Sequence, residues 1–143
     1  MFSRHWRIFA VAVLLANAVA SKAEDHSVWI DPASKLMWTS SDNGSGLSLS
    51  QAKRYCSEVT TSGFKDWRLP SIDELQVIYG GPEGQNGRHV KGPIKLTGWE
   101  WSATPGQQDG EGWVLDFGDG ARASVAAGDS GLNRALCVRQ PKN

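Results

Sequence analysis

Cysteine and histidine are both scarce in this chain of 143 residues, which carries two of the first and three of the second. Two histidines beyond the leader region, His26 and His89, are too few for a zinc site. No glycine-rich loop stands ahead of a phosphate-binding lysine. Asp116-Phe117-Gly118 copies three letters of the kinase metal motif, but the other kinase elements are missing. No serine, histidine and aspartate arrangement marks a hydrolase, and no pair of acid and base carboxylates stands out. Neither an internal repeat nor a late apolar run long enough to cross a bilayer occurs.

A net formal charge is absent too, with 15 basic against 15 acidic residues. That balance hides an asymmetry. Residues 1–23 read as a secretory signal peptide, with Arg4, His5 and Arg7 ahead of the apolar run Ile8 to Leu15; Ala18-Val19-Ala20 and Ser21-Lys22-Ala23 both fit cleavage, and the second is preferred because Glu24 and Asp25 then open a polar mature end. Removing them leaves 12 basic against 15 acidic residues in 24–143, which argues against nucleic acid as a partner. The expectation is an exported protein, periplasmic or secreted, with a single domain and no transmembrane segment.

What is abundant is tryptophan. Six of the seven lie after residue 23, and each can bury on the order of 150–250 Å², so a domain of this size can fill its core. In an exported chain the one cysteine pair, Cys56 and Cys137, is expected to close as a disulfide. It would tie an early helix to the last strand and enclose a loop of roughly eighty residues, which is worth about 4 kcal/mol in the chain-entropy model.

Local signals order the elements. Val28 to Ile30 and Leu36 to Thr39 flank an Asp-Pro turn and predict a hairpin. Ser48 with Gln51 forms a capping box, and Ala52, Tyr55, Cys56 and Val59 follow at helical spacing until Gly63. In Asp66-Trp67-Arg68-Leu69-Pro70, Pro70 holds Leu69 extended, and Ser71 with Glu74 then starts a second helix that ends at Gly80-Gly81-Pro82. Residues 80–98 predict a long irregular loop. Strands are expected at 99–103, 113–117 and 121–125, the last two joined by a Gly118-Asp119-Gly120 turn, and a closing strand at 134–139. Strands, two helices and a strand-rich second half make an α+β domain.

Asp66 to Pro70 with Ile72-Asp73-Glu74-Leu75, then Trp101-Ser102-Ala103-Thr104, Trp113 to Gly120 and Arg134 to Arg139, resemble the C-terminal domain of Legionella collagen-like proteins over residues 27–140. The resemblance implies a compact fold similar to C-type lectins and to formylglycine-generating sulfatase modifiers. In that fold two helices flank a twisted, mainly antiparallel sheet, and a long loop region carries any ligand. The founding member of the family is an adhesin for sulfated polysaccharides. This chain lacks the collagen-like Gly-X-Y segment, so stalk-driven trimerisation does not carry over. It also lacks the sugar-gripping tripeptides of calcium-dependent lectins.

Candidate ligand residues follow. Arg88, His89, Lys91 and Lys95 are the one local concentration of basic side chains, suited to sulfate or carboxylate oxygens. Arg122 and Arg134 extend it if the sheet brings them to the same face. Trp99 shares a strand side with Trp101 and could stack on a sugar. Trp67, Trp101 and Trp113 are assigned to the core, and Asp66 and Arg68 to structural ion pairs. Asp109, Glu111, Asp116, Asp119 and Asp129 fit no calcium loop, and the Asp-Gly pairs have a sufficient turn explanation, so no metal or other cofactor is expected. Asn43-Gly44-Ser45 fits a glycosylation sequon and marks a surface loop.

The leading expectation is a non-catalytic binding module for an anionic polysaccharide. The alternatives are a domain that contacts another cell-envelope protein and, more remotely, an oxidoreductase related to the sulfatase modifiers, which would need free thiols.

Overall fold

The computed structural model describes residues 25–143, without the side chain of Gln85. The expected signal segment lies outside the described residues. Strands β1 (Val28–Ile30) and β2 (Met37–Thr39) form the first hairpin, with Trp29 opposite Trp38. Its turn is closed by Asp31, whose carboxylate accepts from the Ser34 amide and hydroxyl at 3.1 and 2.7 Å.

Helix α1 (Leu49–Glu58) opens with both halves of the capping box in place: the Ser48 hydroxyl accepts from the Gln51 amide, and the Gln51 side chain accepts from the Ser48 amide. It stops at Val59, earlier than Gly63, which belongs to a separate turn at Thr61–Gly63. Helix α2 (Ile72–Ile78) repeats the device with Ser71 and Glu74 and buries Ile72, Leu75 and Ile78. Ahead of it the extended Trp67-Arg68-Leu69 run docks on the C-terminal end of the chain. Arg68 and Val138 exchange two backbone hydrogen bonds of 2.9 Å each, and the Trp67 indole donates to the Thr61 carbonyl at 3.1 Å.

Residues 80–98 are not an irregular loop throughout. β3 (Tyr79–Glu83) and β4 (His89–Val90) form an antiparallel hairpin with a register shift. The glycines that signal a loop are here because strands approach closely: a Cβ at Gly81 would stand 2.3 Å from the Val90 carbonyl oxygen. Pro82 lacks an amide and is tolerated in so short a ribbon. The hairpin is held to the body by the His89 amide on the Phe117 carbonyl (2.7 Å) and the Lys91 amide on that of Ile78 (2.8 Å).

A four-stranded sheet follows, in the order β7 (Arg122–Ala126), β6 (Glu111–Leu115), β5 (Trp99–Pro105), β8 (Asn133–Arg134); only the β5–β8 pairing is parallel. In the β6–β7 turn the Asp116 and Asp119 carboxylates accept from the amides of Gly118 and Ala121. Gly120, at φ +79°, leaves no room for a Cβ beside the Tyr79 ring. The expected closing strand is split. Asn133–Arg134 joins β5, whereas β9 (Val138–Arg139) pairs with β2 in a three-stranded sheet, because the chain crosses from one sheet to the other at Ala135 to Cys137.

Both faces of this framework are covered, so consecutive strand residues are buried in opposite directions. Trp38 and Leu115 join the cluster under α2, whereas their neighbours Met37 and Val114 join the cluster under α1 with Trp67 and Trp101. Trp113 and Trp99 are half-buried at the margins, short of the full core position expected for Trp113. Cys56 on α1 is bonded to Cys137, with a Cα separation of 5.4 Å, and both are fully buried. The domain is α+β, with one helix on each face of the strands.

Candidate functional site

The turn after β4 and the run into β5 enclose a cavity of about 390 Å³. Its lining includes Arg88, Val90, Pro93, Ile94, Lys95 and Thr97. Gly92 can carry the turn because its φ is +72° and because the Trp29 ring occupies the space a Cβ would need, 2.4 Å away. Two of the basic residues picked out by sequence, Arg88 and Lys95, therefore line one cavity, together with Thr97.

The other four candidates lie elsewhere. His89 stands within the hairpin with Nδ1 3.4 Å from the Gly81 carbonyl oxygen. Lys91 is exposed; against the effect of burial, hydrogen bonds from Ser34 and Ala33 hold the Asp31 carboxyl below its ordinary range, and the Lys91 charge adds the smallest part. Trp99 packs at the edge of the α1-side cluster. Arg122 sits against α2, donating to Gln76 and Asp73 at 3.2 Å each. Arg134 is joined to the pocket only through Thr97, whose hydroxyl accepts from its Nε at 3.1 Å.

A second cavity of about 380 Å³, lined by His26, Val28, Ser40 and Ser41, shares Pro93 and Lys95 with the first. Lys95 thus stands in the wall between two adjoining hollows. Hydroxyls of Ser40, Ser41 and Thr97 accompany the cations, a mixture suited to an anionic, hydroxyl-rich chain.

The wall is fastened from behind by Asp42, which sequence reading passed over. Its carboxylate accepts from the Thr97 amide (2.6 Å), the Thr97 hydroxyl (2.8 Å) and the Gly44 amide (2.9 Å), and its own amide donates to the Lys95 carbonyl at 3.2 Å. Glu100, also passed over, is completely buried, and neither carboxyl oxygen has a hydrogen-bond donor. Burial first, and the Asp42 carboxylate beside it second, push the Glu100 carboxyl well above the ordinary glutamate range. The signal for Glu100 was its position between Trp99 and Trp101, an acidic residue inside an apolar strand.

A larger open cleft of about 550 Å³ lies between Phe64, Asp66, Arg139 and Lys142. Its central charges are engaged with each other: Arg139 Nε donates to Asp66 at 2.6 Å while its guanidinium lies 3.7 Å from the centre of the Phe64 ring. Nearby, Arg68 grips Glu74 with two bonds of 2.7 Å. Asp66 and Arg68 pair with these partners and not with one another. Among the described residues, no three acidic, histidine or cysteine side chains gather as a metal site, and no helix is long and apolar enough to cross a membrane.

A family model, the Lcl C-terminal domain, matches residues 27–139. No curated protein matches the chain.

Proposed function

Because the chain belongs to the Lcl C-terminal domain family, we propose that it is an exported, non-catalytic binding module of C-type-lectin-like architecture that docks an anionic polysaccharide across the Lys95 ridge. The observation that carries this reading is the convergence of Arg88, Lys95 and Thr97 on one cavity, with Lys95 shared by a second. Guanidinium and ammonium groups give charge-assisted bonds to sulfate or carboxylate oxygens, and two adjoining hollows suit consecutive sugar units. The buried Cys56–Cys137 bridge supports export, since such bonds persist in oxidising compartments, and it leaves neither sulfur as a free thiol for an oxidase step.

The test is a thermal-shift and binding titration of the oxidised protein against a heparin-like and a neutral polysaccharide in a salt series. Stabilisation by the anionic polymer alone, weakened by salt and abolished by Arg88→Ala with Lys95→Ala, is the expected result. No saturable binding to either polymer would refute it and leave a cell-envelope protein as the partner to seek, by pull-down in the presence of excess sulfated glycan.

A further inference from the structure

We propose that the cavity beside the Lys95–Thr97 wall takes an anion carried on a short aliphatic chain, with its carboxylate or sulfate oxygens at Arg88 and Lys95 and its chain over Val90, Ile94 and Leu96. The inference rests on the proposed reading for the cavity and its two cations, and goes beyond it in the chemistry of the ligand.

The local backbone gives one hollow two kinds of surface. Residues 94–97 are tied to the 40–42 loop: the Lys95 amide donates to the Ser40 carbonyl at 2.9 Å, and the Asp42 amide donates to that of Lys95 at 3.2 Å. Side chains of an extended run alternate, so Ile94 and Leu96 turn to the core while Lys95 and Thr97 stay exposed. Val90 of β4 joins Ile94 and Leu96 in the cluster under α2. These three keep 6, 7 and 5% exposure, whereas Leu75, Leu115 and Phe117 of the same cluster have none. All three line the cavity, which gives it an aliphatic floor continuous with the core.

The rim is cationic and unopposed. No acidic side chain is among the described residues that line the cavity. The ion pairs among the described residues join Arg68 to Glu74, Arg122 to Asp73 and Arg139 to Asp66, and include neither Arg88 nor Lys95. The Thr97 hydroxyl donates to Asp42 and accepts from Arg134, so its proton is already committed. Anion recognition therefore falls to the guanidinium and the ammonium group, through charge-assisted bonds. Nor does an aromatic ring line the cavity among the described residues, so an unsubstituted sugar would find no π-face to stack on. The lining complements negative oxygens at one end of a ligand and C–H groups at the other. A bare inorganic anion or a neutral hydrocarbon would use only half of it. A free aliphatic acid and an acidic sugar bearing an acyl group both carry the required chemistry.

The experiment titrates the oxidised protein with acetate, butanoate and hexanoate, followed by amide chemical shifts, with hexanol and hexylammonium as uncharged and cationic controls. The expected result is saturable shifts at Val90, Ile94, Lys95 and Leu96, with affinity rising about threefold for each added methylene. Both controls should bind about tenfold more weakly than hexanoate. Lys95→Ala should weaken hexanoate about tenfold and keep the dependence on chain length. Equal affinities for acetate and hexanoate would overturn the inference while leaving an anion site for a polysaccharide intact. Hexanol binding as tightly as hexanoate would overturn both readings of the cations. Shifts that fail to saturate, or that centre outside residues 84–97, would also overturn the inference. A heparin-like polymer that does not bind while hexanoate does would refute the polysaccharide reading alone. Glucuronic acid carrying a hexanoyl ester separates the sources: tighter binding than hexanoate identifies an acylated acidic glycan, and weaker binding a free aliphatic acid.

Discussion

Two ends of the framework handle charge in opposite ways. At the Asp66–Arg139 corner the charges come in opposite pairs, Arg139 with Asp66 and Arg68 with Glu74. Near the Lys95–Thr97 wall, Asp42 is bonded to Thr97 and Glu100 is buried without a hydrogen-bond donor, while Arg88 and Lys95 line an open cavity. The corner uses its charges to hold the chain together, whereas the proposed function has the wall offer Arg88 and Lys95 to a ligand.

The two ends also respond oppositely to pH. Hydrogen bonds from Arg139 hold the Asp66 carboxyl below its ordinary range, and those from Arg68 do the same for Glu74. Their contribution is present above the unfolded values and is lost as pH falls through the folded ones. Glu100 has the reverse sign. Acid should therefore loosen the corner first and alkali the wall, which residue-resolved exchange at the two extremes can check.

The largest test of this contrast removes what joins the two ends. Cys137 lies between β8, beside the wall, and β9, beside the corner. Replacing both cysteines by serine should lower unfolding free energy by about 4 kcal/mol in denaturant titration. Exchange protection should drop at both ends; loss at one end alone would show that the bridge does not couple them. Next, Arg88→Ala or Lys95→Ala should each weaken binding of a sulfated oligosaccharide by about 1.5 kcal/mol, roughly tenfold. Calorimetry should find that loss with stability changed by no more than about 0.5 kcal/mol.

Ser71→Ala removes the N-cap of α2 and should cost about 1 kcal/mol of stability, with binding unchanged. Smallest is Arg68→Ala. Its pair with Glu74 is bidentate but half-exposed on the arginine side, so screening limits the loss to about 0.5 kcal/mol, and raised salt should shrink it further. A ligand-affinity change in either of these two variants would erase the contrast between the two ends.

How much of this was legible in the chain depends on the range of the interactions. Ser48 with Gln51 and Ser71 with Glu74 act within one helical turn, so both helix starts could be read from spacing. The disulfide followed from compartment and count. Gly80, Gly81 and Pro82 were misread as loop because what Gly81 accommodates is the Val90 carbonyl, nine residues away and invisible to local patterning. The closing run was misread for a similar reason: only the packed sheets decide that Arg134 pairs with β5 and Arg139 with β2.

The site was half legible. A cluster of basic residues in sequence pointed to Arg88 and Lys95, but alternation and the hairpin sent His89 and Lys91 elsewhere. Arg122 could not be placed without the β6–β7 register, which carries it to α2. Asp42 gave little local signal because its role arises where the 40–46 loop meets the run into β5, whereas Glu100 was marked only by standing between Trp99 and Trp101.

The most direct measurement is an amide chemical-shift map of the oxidised protein titrated with a sulfated oligosaccharide at low and raised salt. The account predicts salt-sensitive shifts confined to residues 84–97 and the adjoining Ser40 and Ser41, with the Phe64 to Arg68 segment and Arg139 unmoved. Shifts centred on Phe64, Asp66 and Arg139, or none that saturate, would contradict it.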